Sequence, residues 1–382
     1  MRVIIVGGGA SGLVAAIRLG KDHEVTIIEK ANDIGKKILV TGNGHCNYYN
    51  KDMSIDHYLT SNNGINELIS EDYVYKVLPF FESIGVLPYQ KDNYYYPASY
   101  EARTVRYFLI KKIKDYGINV VLSEEVVNIE KKDYEFHVTT DRSVYKADKV
   151  IVSTGGSSFE LLTKLGHNVI PLAKALCGIK GNREDAKYWG GIRIKANLKL
   201  FINDNLVKEE NGDLQLTDYG ISGICSMNLS NYVGRLLLQR ENHYILINFI
   251  PSINSYEEFT KFIEEGNNKF NNDIKSTLYQ VLNDKLVDIL LNGIDKNKIE
   301  EVYSKFCKYR FNPKELNDLN GQVTSGGIPL DEVNLTTMES KVYEGIYITG
   351  ELLNVVGDCG GYNLGLAWIT ALKAGDAINA KN

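Results

Sequence analysis

Cysteine is scarce in this 382-residue chain: there are five, and no two form a C-x-x-C pair. That spacing excludes a thioredoxin-type redox pair and a zinc knuckle, and no metal ion is expected. The odd count without a framework reads as a reduced, cytoplasmic protein. Long apolar runs are absent too. None reaches the 18 residues of a membrane span. The first 20 residues carry Gly7, Gly8, Gly9 and Gly12 and lack a basic segment followed by a cleavage site, so no signal peptide is expected. Positive charge is in deficit, with 43 Lys and Arg against 48 Asp and Glu and a net charge of −5. A nucleic-acid binder needs a basic face to displace counterions, so the expectation is a small-molecule substrate, no nucleic acid and no membrane. The 34 Gly and seven Pro show no period, which excludes collagen-like and low-complexity classes.

What is present is enough for a sizeable core: 44% of residues are apolar and 24% charged. The length suggests two or three domains. Residues 2–6 (RVIIV) read as a strand, residues 10–20 as a helix with Leu13, Ala16 and Ile17 on one face, and residues 24–29 (EVTIIE) as a second strand. This is a βαβ unit. A glycine- and asparagine-rich loop covers 36–50. Helices are expected at 64–71, 73–84 and 101–115. Residues 118–153 read as strands, mostly a small antiparallel meander whose last run returns to a parallel sheet. Alternating strands follow from 193, helical periodicity over 254–310, a buried strand at 345–350 and a final helix at 361–378. The pattern implies an α/β domain built from both chain ends around an insertion.

The stretch Gly7-Gly8-Gly9-Ala10-Ser11-Gly12 places G-x-G-x-x-G between strand and helix. Gly7 permits the tight turn, Gly9 a close approach by pyrophosphate, and Gly12 close helix–strand packing. The helix N-terminus offers N–H groups and a positive dipole end to the phosphates. Glu29 closes the second strand, placed to accept hydrogen bonds from the adenosine ribose and to repel a 2′-phosphate. Two further buried strands end in Thr154-Gly155-Gly156 and in Gly350-Glu351, as in two-dinucleotide-fold proteins that hold FAD. No second G-x-G-x-x-G occurs, so a nicotinamide donor, NAD(P)H, would visit the flavin transiently through the substrate cleft.

Five blocks, 3–16, 35–50, 217–223, 321–341 and 345–368, resemble those of the HI0933-like (YhiN/BaiN-like) flavoprotein family, which includes aminoacetone oxidase-like members. The resemblance implies an α/β fold: an FAD-binding two-dinucleotide (Rossmann-like) domain, 1–192 and 343–382, interrupted by a β-rich domain, 193–253 and 311–342, that carries a small helical subdomain, 254–310. It implies FAD contacts from Gly7, Gly9, Ala10, Ser11, Gly12, Glu29, Lys30, Lys37, Thr41, Gly42, Asn47, Val127, Thr154, Gly155, Gly156, Gly350, Glu351, Gly361, Tyr362, Asn363 and Leu364. Gly360-Gly361-Tyr362-Asn363 would set a helix N-terminus at the N1–C2=O edge of the flavin. His45, Tyr362 and Asn363 are candidate catalytic residues. His45 stands where the family has Arg, Asn43 where it has Gly, and Asn354 where it has Asp. Gly365 replaces a bulkier polar residue. Tyr94, Tyr95 and Tyr96 are candidates for the substrate face, and Asp218–Gly223 for a cap over the active site. The implied activity is hydride transfer at flavin N5. Reduction of an activated C=C bond with NAD(P)H leads. Oxidation of a small amine with oxygen, and a non-enzymatic flavin-gated sensor, stand as alternatives. A third alternative, tRNA modification by an FAD enzyme, has the right cofactor and the wrong charge.

Overall fold

The computed structural model describes residues 1–271, 273–317 and 323–381. Residue 272 of the expected helical subdomain, residues 318–322 (which include the first two of the 321–341 block) and residue 382 lie outside the described residues. The chain forms two compact units, Met1–Leu172 with Val323–Asn382, and Ala173–Gln322. The expected boundaries at 192 and 343 fall inside these units.

The first unit is built on a parallel sheet. Its elements are β1 (Arg2–Val6), α1 (Ala10–Leu19), β2 (Glu24–Glu29), β3 (Asn119–Leu122), β4 (Lys149–Val152), β5 (Ile346–Ile348) and the long helix α2 (Tyr362–Asn379). The strand order is β5-β4-β1-β2-β3, all parallel. Such strands are covered on both faces and read as continuous apolar runs. Val3, Ile5, Ile27, Val150, Ile151 and Ile348 are accordingly buried. β5 comes from the far end of the chain and pairs with β4 through Val150–Ile346 and Val152–Ile348. Helix α1 carries Leu13, Val14, Ala15 and Ala16 into this core, and α2 is buried along most of its length.

One expectation changes here. Residues 119–122 join the parallel sheet beside β2 and are not part of the meander. They follow the helix Ala102–Asp115, so they complete a second helical crossover, which returns a strand parallel to its predecessor. The meander proper has three strands, Val126–Lys132, Glu135–Thr140 and Val144–Ala147. The loop at 36–50 contains a 3₁₀ stretch, Lys36–Gly44, interrupted at Thr41, Gly42 and Asn43.

The second unit holds a seven-stranded antiparallel sheet whose long central hairpin is Arg193–Ile202 with Asn205–Thr217. Leu198, Leu200, Leu214 and Ile245 face its core. Four helices, Tyr256–Lys269, Ile274–Tyr279, Asp284–Leu291 and Ile299–Cys307, occupy the stretch expected to be helical. Their Phe259, Ile263, Leu278 and Phe306 share a core with the sheet. The helix Ile224–Gln239 was not expected. It buries Ser226, Asn228, Ser230 and Asn231 along with Leu229 and Val233, which blurs the apolar stripe that would betray it.

Candidate functional site

The glycines of the first turn divide by what surrounds them. A Cβ on Gly7, whose φ is +103°, would lie 2.6 Å from the Ser153 carbonyl oxygen, and one on Gly12 would collide with the Gly7 carbonyl. Both are glycine because the protein itself leaves no room. Gly9 differs: the nearest atom to a Cβ there is Ser153 O at 4.0 Å. Its outward side is open at the N-terminus of α1, where the first-turn N–H groups have no carbonyl partner within the helix. That open edge is the space a pyrophosphate requires. The residues present therefore fit the ADP half of FAD. At the end of β2, Glu29 accepts from Gly8 N at 2.7 Å and Ala31 N at 2.8 Å, which fixes the carboxylate beside the cradle. Lys30 pairs loosely with Glu125 at 3.8 Å on the surface. Val127 is exposed, its carbonyl accepting from Lys164 at 3.0 Å.

The ends of β4 and β5 meet on the other side of the turn. Thr154 and Ser157 exchange two hydrogen bonds of 2.7 and 2.9 Å around Gly155. Gly350, with φ +69°, lies so close to Ser11 that a Cβ would sit 2.9 Å from its hydroxyl. The Gly350 N–H is held by Thr370 of α2 at 2.9 Å. Glu351 accepts from Lys37 Nζ and from Thr324 N, both at 2.8 Å, and occupies the space a Cβ on Gly156 would need. Lys37, Gly156, Gly350 and Glu351 therefore form one cluster.

The 36–50 loop and the start of α2 make the next part. The Thr41 hydroxyl donates to Ile38 O at 2.6 Å, and Gly42 takes φ +54°. The Asn47 amide nitrogen reaches the Tyr49 carbonyl at 2.9 Å and that of Tyr95 at 3.2 Å. Gly361, at φ +91°, is pressed against the Tyr49 backbone, where a Cβ would lie 2.7 Å from the carbonyl carbon. It caps α2, whose first residues are Tyr362, Asn363 and Leu364. The Asn363 side chain is spent on the backbone of Gly357, accepting from its N–H and donating to its carbonyl at 2.9 Å each. It shapes the turn, so its candidacy as a catalytic group is set aside. Tyr362 is buried, and that burial, with Asp52, Tyr94 and Asp358 nearby, raises its phenol well above the ordinary value, so it keeps its proton. His45 is exposed and its ring lies tilted against that of Tyr100 with centroids 4.3 Å apart, and its Nδ1 meets the Tyr100 carbonyl at 2.9 Å. Cys46 is buried and its thiol is pushed up to about 11 by desolvation, which excludes a resting thiolate. No two of the five cysteines are joined in a disulfide. Tyr94–Pro97 pairs with Pro88–Lys91 and with Tyr49–Asn50 in a small sheet.

In the second unit, Asp218 and Tyr219 turn the chain from the strand Asn205–Thr217 into its antiparallel partner Gly220–Ser222. A Cβ on Gly220 would collide with Ile179 O, and one on Gly223 with Asp213 O, so both glycines serve the sheet.

Sequence reasoning missed a cluster at the start of α2. His57 stacks on Tyr362 with ring centroids 4.4 Å apart, its Nδ1 is 3.3 Å from Asp358 and its Nε2 3.4 Å from Asp52. No motif links residues 52, 57 and 358. The antiparallel pairing of Val356–Gly357 with Tyr58–Leu59 brings Asp358 to His57. Among the described residues no group of His, Cys, Asp and Glu is arranged to hold a metal, and no helix is long and apolar enough to cross a membrane.

Residues 1–377 match the model of the HI0933-like protein Rossmann domain. The chain belongs to that family. It is an FAD-dependent oxidoreductase fold, with a parallel-sheet Rossmann-like unit and an antiparallel β-rich insert. It is 29% identical to a 3-dehydro-bile acid delta(4,6)-reductase of Clostridium scindens, over 98% of each chain. It is 25% identical to a ribosomal RNA dihydrouridine synthase of Haemophilus influenzae, again over 98% of each, and 24% identical to one of Escherichia coli, over 99% of this chain and 98% of the other. The charge-based expectation that nucleic acid is not a partner is thus weakened by relatives that modify RNA.

Proposed function

We propose that this protein uses FAD and a reduced nicotinamide to reduce a C=C bond conjugated to a carbonyl in a small organic substrate. The observation that carries the reading is the paired geometry of an open Gly9 edge at α1 and a glycine-led helix N-terminus at α2. The first suits a dinucleotide phosphate, and the second suits negative charge on a ring. FAD, when bound, supplies hydride transfer at N5, and its reduction leaves negative charge on the pyrimidine edge. The chain's own residues do the rest. Gly9 and the α1 N–H groups hold the phosphates. Glu29 accepts from the ribose. The paired Lys37 and Glu351 would hold the bound cofactor from the side of β5. The N–H groups of Tyr362, Asn363 and Leu364, at the start of α2, would favour negative charge on a flavin ring bound there. The names of the relatives support the direction. A 3-dehydro-bile acid delta(4,6)-reductase and a dihydrouridine synthase both saturate a C=C bond conjugated to a carbonyl.

A second reading keeps this chemistry and changes the substrate to a uracil ring in RNA. It is favoured by the two ribosomal RNA relatives, which match over nearly their whole length.

The test is an anaerobic half-reaction. Protein reduced by NADH or NADPH is mixed with 2-cyclohexen-1-one, a 3-oxo-Δ4 steroid acid or uridine-containing ribosomal RNA. Reoxidation by an enone, slow reoxidation by air and no reduction by aminoacetone support the proposal. Reduction by the amine with fast reoxidation in air overturns it. Reoxidation by RNA alone selects the second reading.

A further inference from the structure

Saturating a C=C bond takes a hydride on one carbon and a proton on the other. The hydride carries the two electrons that the nicotinamide gives up through the flavin. The proton must come from water through the protein. Tyr362 is an awkward primary source, since its phenol is buried and holds its proton tightly. The cluster stacked against it is better suited.

We propose that His57, held between Asp52 and Asp358, is the proton reservoir of this site, filling as the flavin is reduced and emptying when the substrate is. The proposal rests on the functional reading above, which places the flavin ring at the N-terminus of α2. The three side chains grade from solvent inward: Asp52 is 49% exposed, His57 34% and Asp358 9%. Each imidazole nitrogen faces a carboxylate oxygen, at 3.4 Å for Nε2 and 3.3 Å for Nδ1. Only a ring with both nitrogens protonated can donate to both acids, whereas a neutral ring satisfies one. The ring plane is fixed by its stack on Tyr362, at 4.4 Å and 22°.

The backbone is fixed as well. Asp358 N donates to His57 O at 2.9 Å, and Asn363 pins Gly357 from α2. Tyr58 OH donates to Tyr362 O at 3.1 Å. The other groups around the cluster are Asp56 on the short turn that carries His57, Tyr58 beside it, and Tyr94, which acts on Tyr362 from the neighbouring hairpin. The surroundings are therefore acidic and phenolic.

The balance closes. Reduction of the flavin by the nicotinamide is accompanied by uptake of one proton from water at His57 through Asp52. The substrate then gains the hydride on one carbon and this proton on the other, and His57 returns to its starting state.

The experiment uses the full chain loaded with FAD and measures the flavin midpoint potential spectroelectrochemically from pH 5.5 to 8.5. The wild-type potential falls with pH more steeply than the chemistry of the ring alone requires. In His57→Gln, which keeps a neutral donor of similar length, the extra steepness disappears at equal FAD content. Asp52→Asn, at a half-exposed position where the amide oxygen can still accept from Ser54 N, reduces it. Identical pH dependence in wild type and His57→Gln overturns the proposal, and where His57→Gln fails to hold FAD, an unchanged slope in Asp52→Asn overturns it. In a second arm, His57→Gln protein reduced by NADPH is reoxidised by 2-cyclohexen-1-one at least ten-fold more slowly than the reduced wild type. If the wild type is reoxidised by no conjugated carbonyl compound, the functional reading fails, and the electrochemical arm still decides the role of His57.

Discussion

The hydroxyls of Ser153 and Thr349 lie 2.7 Å apart, both buried, and join the ends of β4 and β5 at the mouth of the cofactor cradle. The two residues are separated by nearly 200 positions, yet they hold together the two strand ends that carry Gly155 and Gly350. Thr349→Val keeps the shape and leaves the Ser153 hydroxyl without this partner. The cost of a buried unpaired polar group is about 1–3 kcal/mol. The midpoint of thermal unfolding should fall by a few degrees, read by scanning fluorimetry, and FAD content should drop with it.

Gly9 and Gly12 should fail in different ways. Gly9→Ala places a methyl in open space, so the protein without flavin should melt at the wild-type temperature while FAD occupancy falls sharply. Gly12→Ala drives a methyl into the Gly7 carbonyl, so folding itself should suffer. Absorbance at 450 nm per protein, set beside the melting temperature, separates the two. Equal melting and equal flavin in Gly9→Ala would remove Gly9 from the phosphate site.

Glu29→Gln retains one acceptor for the N–H groups of Gly8 and Ala31 and loses the charge. A charge-assisted hydrogen bond contributes about 1.5–3 kcal/mol, and roughly 1.4 kcal/mol is a factor of ten in affinity. The dissociation constant for FAD, measured by titrating flavin-stripped protein, should rise at least ten-fold.

Lys373 sits in the middle of α2, 1% exposed, with Nζ donating to Glu67 O at 2.6 Å and Leu335 O at 2.8 Å. Burial lowers its pKa to about 8. Between that value and the ordinary lysine range near 10.4, the unfolded chain binds the extra proton. Stability from this residue therefore rises with pH across that window and is flat below it. Lys373→Met should flatten the wild-type stability curve between about pH 8 and 10, checked by urea unfolding at several pH values. An unaltered slope would show that the ammonium is solvated.

Legibility from sequence tracked locality. The β1–α1–β2 unit is readable to within one residue because a glycine fingerprint, an apolar strand and a closing acid lie within 30 positions. Glu29 and the open side of Gly9 follow from that alone. Residues 119–122 were assigned to the wrong sheet, since alternation says that a strand exists and not which strand it joins. The helix at 224–239 escapes because its buried face includes serines and asparagines whose partners come from distant parts of the chain, as with Ser230 and the N–H of Cys177. Gly361 illustrates a sharper limit. Its sequence context suggests a position kept small for the flavin, but the space a side chain would need is already taken by Tyr49. Gly361→Val should consequently lower the melting temperature of the flavin-free protein, and it is a poor probe of flavin potential. His57 was invisible for the same reason: the residues that make it interesting are five and 301 positions away.

The placement of β5 beside β4 has a consequence for biosynthesis. Residues 153–345 separate the two strands, and a ribosome adding roughly 5–20 residues per second needs about 10–40 s to cross that interval. During it, β1, β2 and β4 have emerged, but one edge of the sheet is still unpaired and neither Gly350 nor α2 exists to complete the cradle. Flavin capture is thus a late event in the life of each polypeptide, and until β5 emerges the exposed β4 edge of the nascent chain is a site for aggregation.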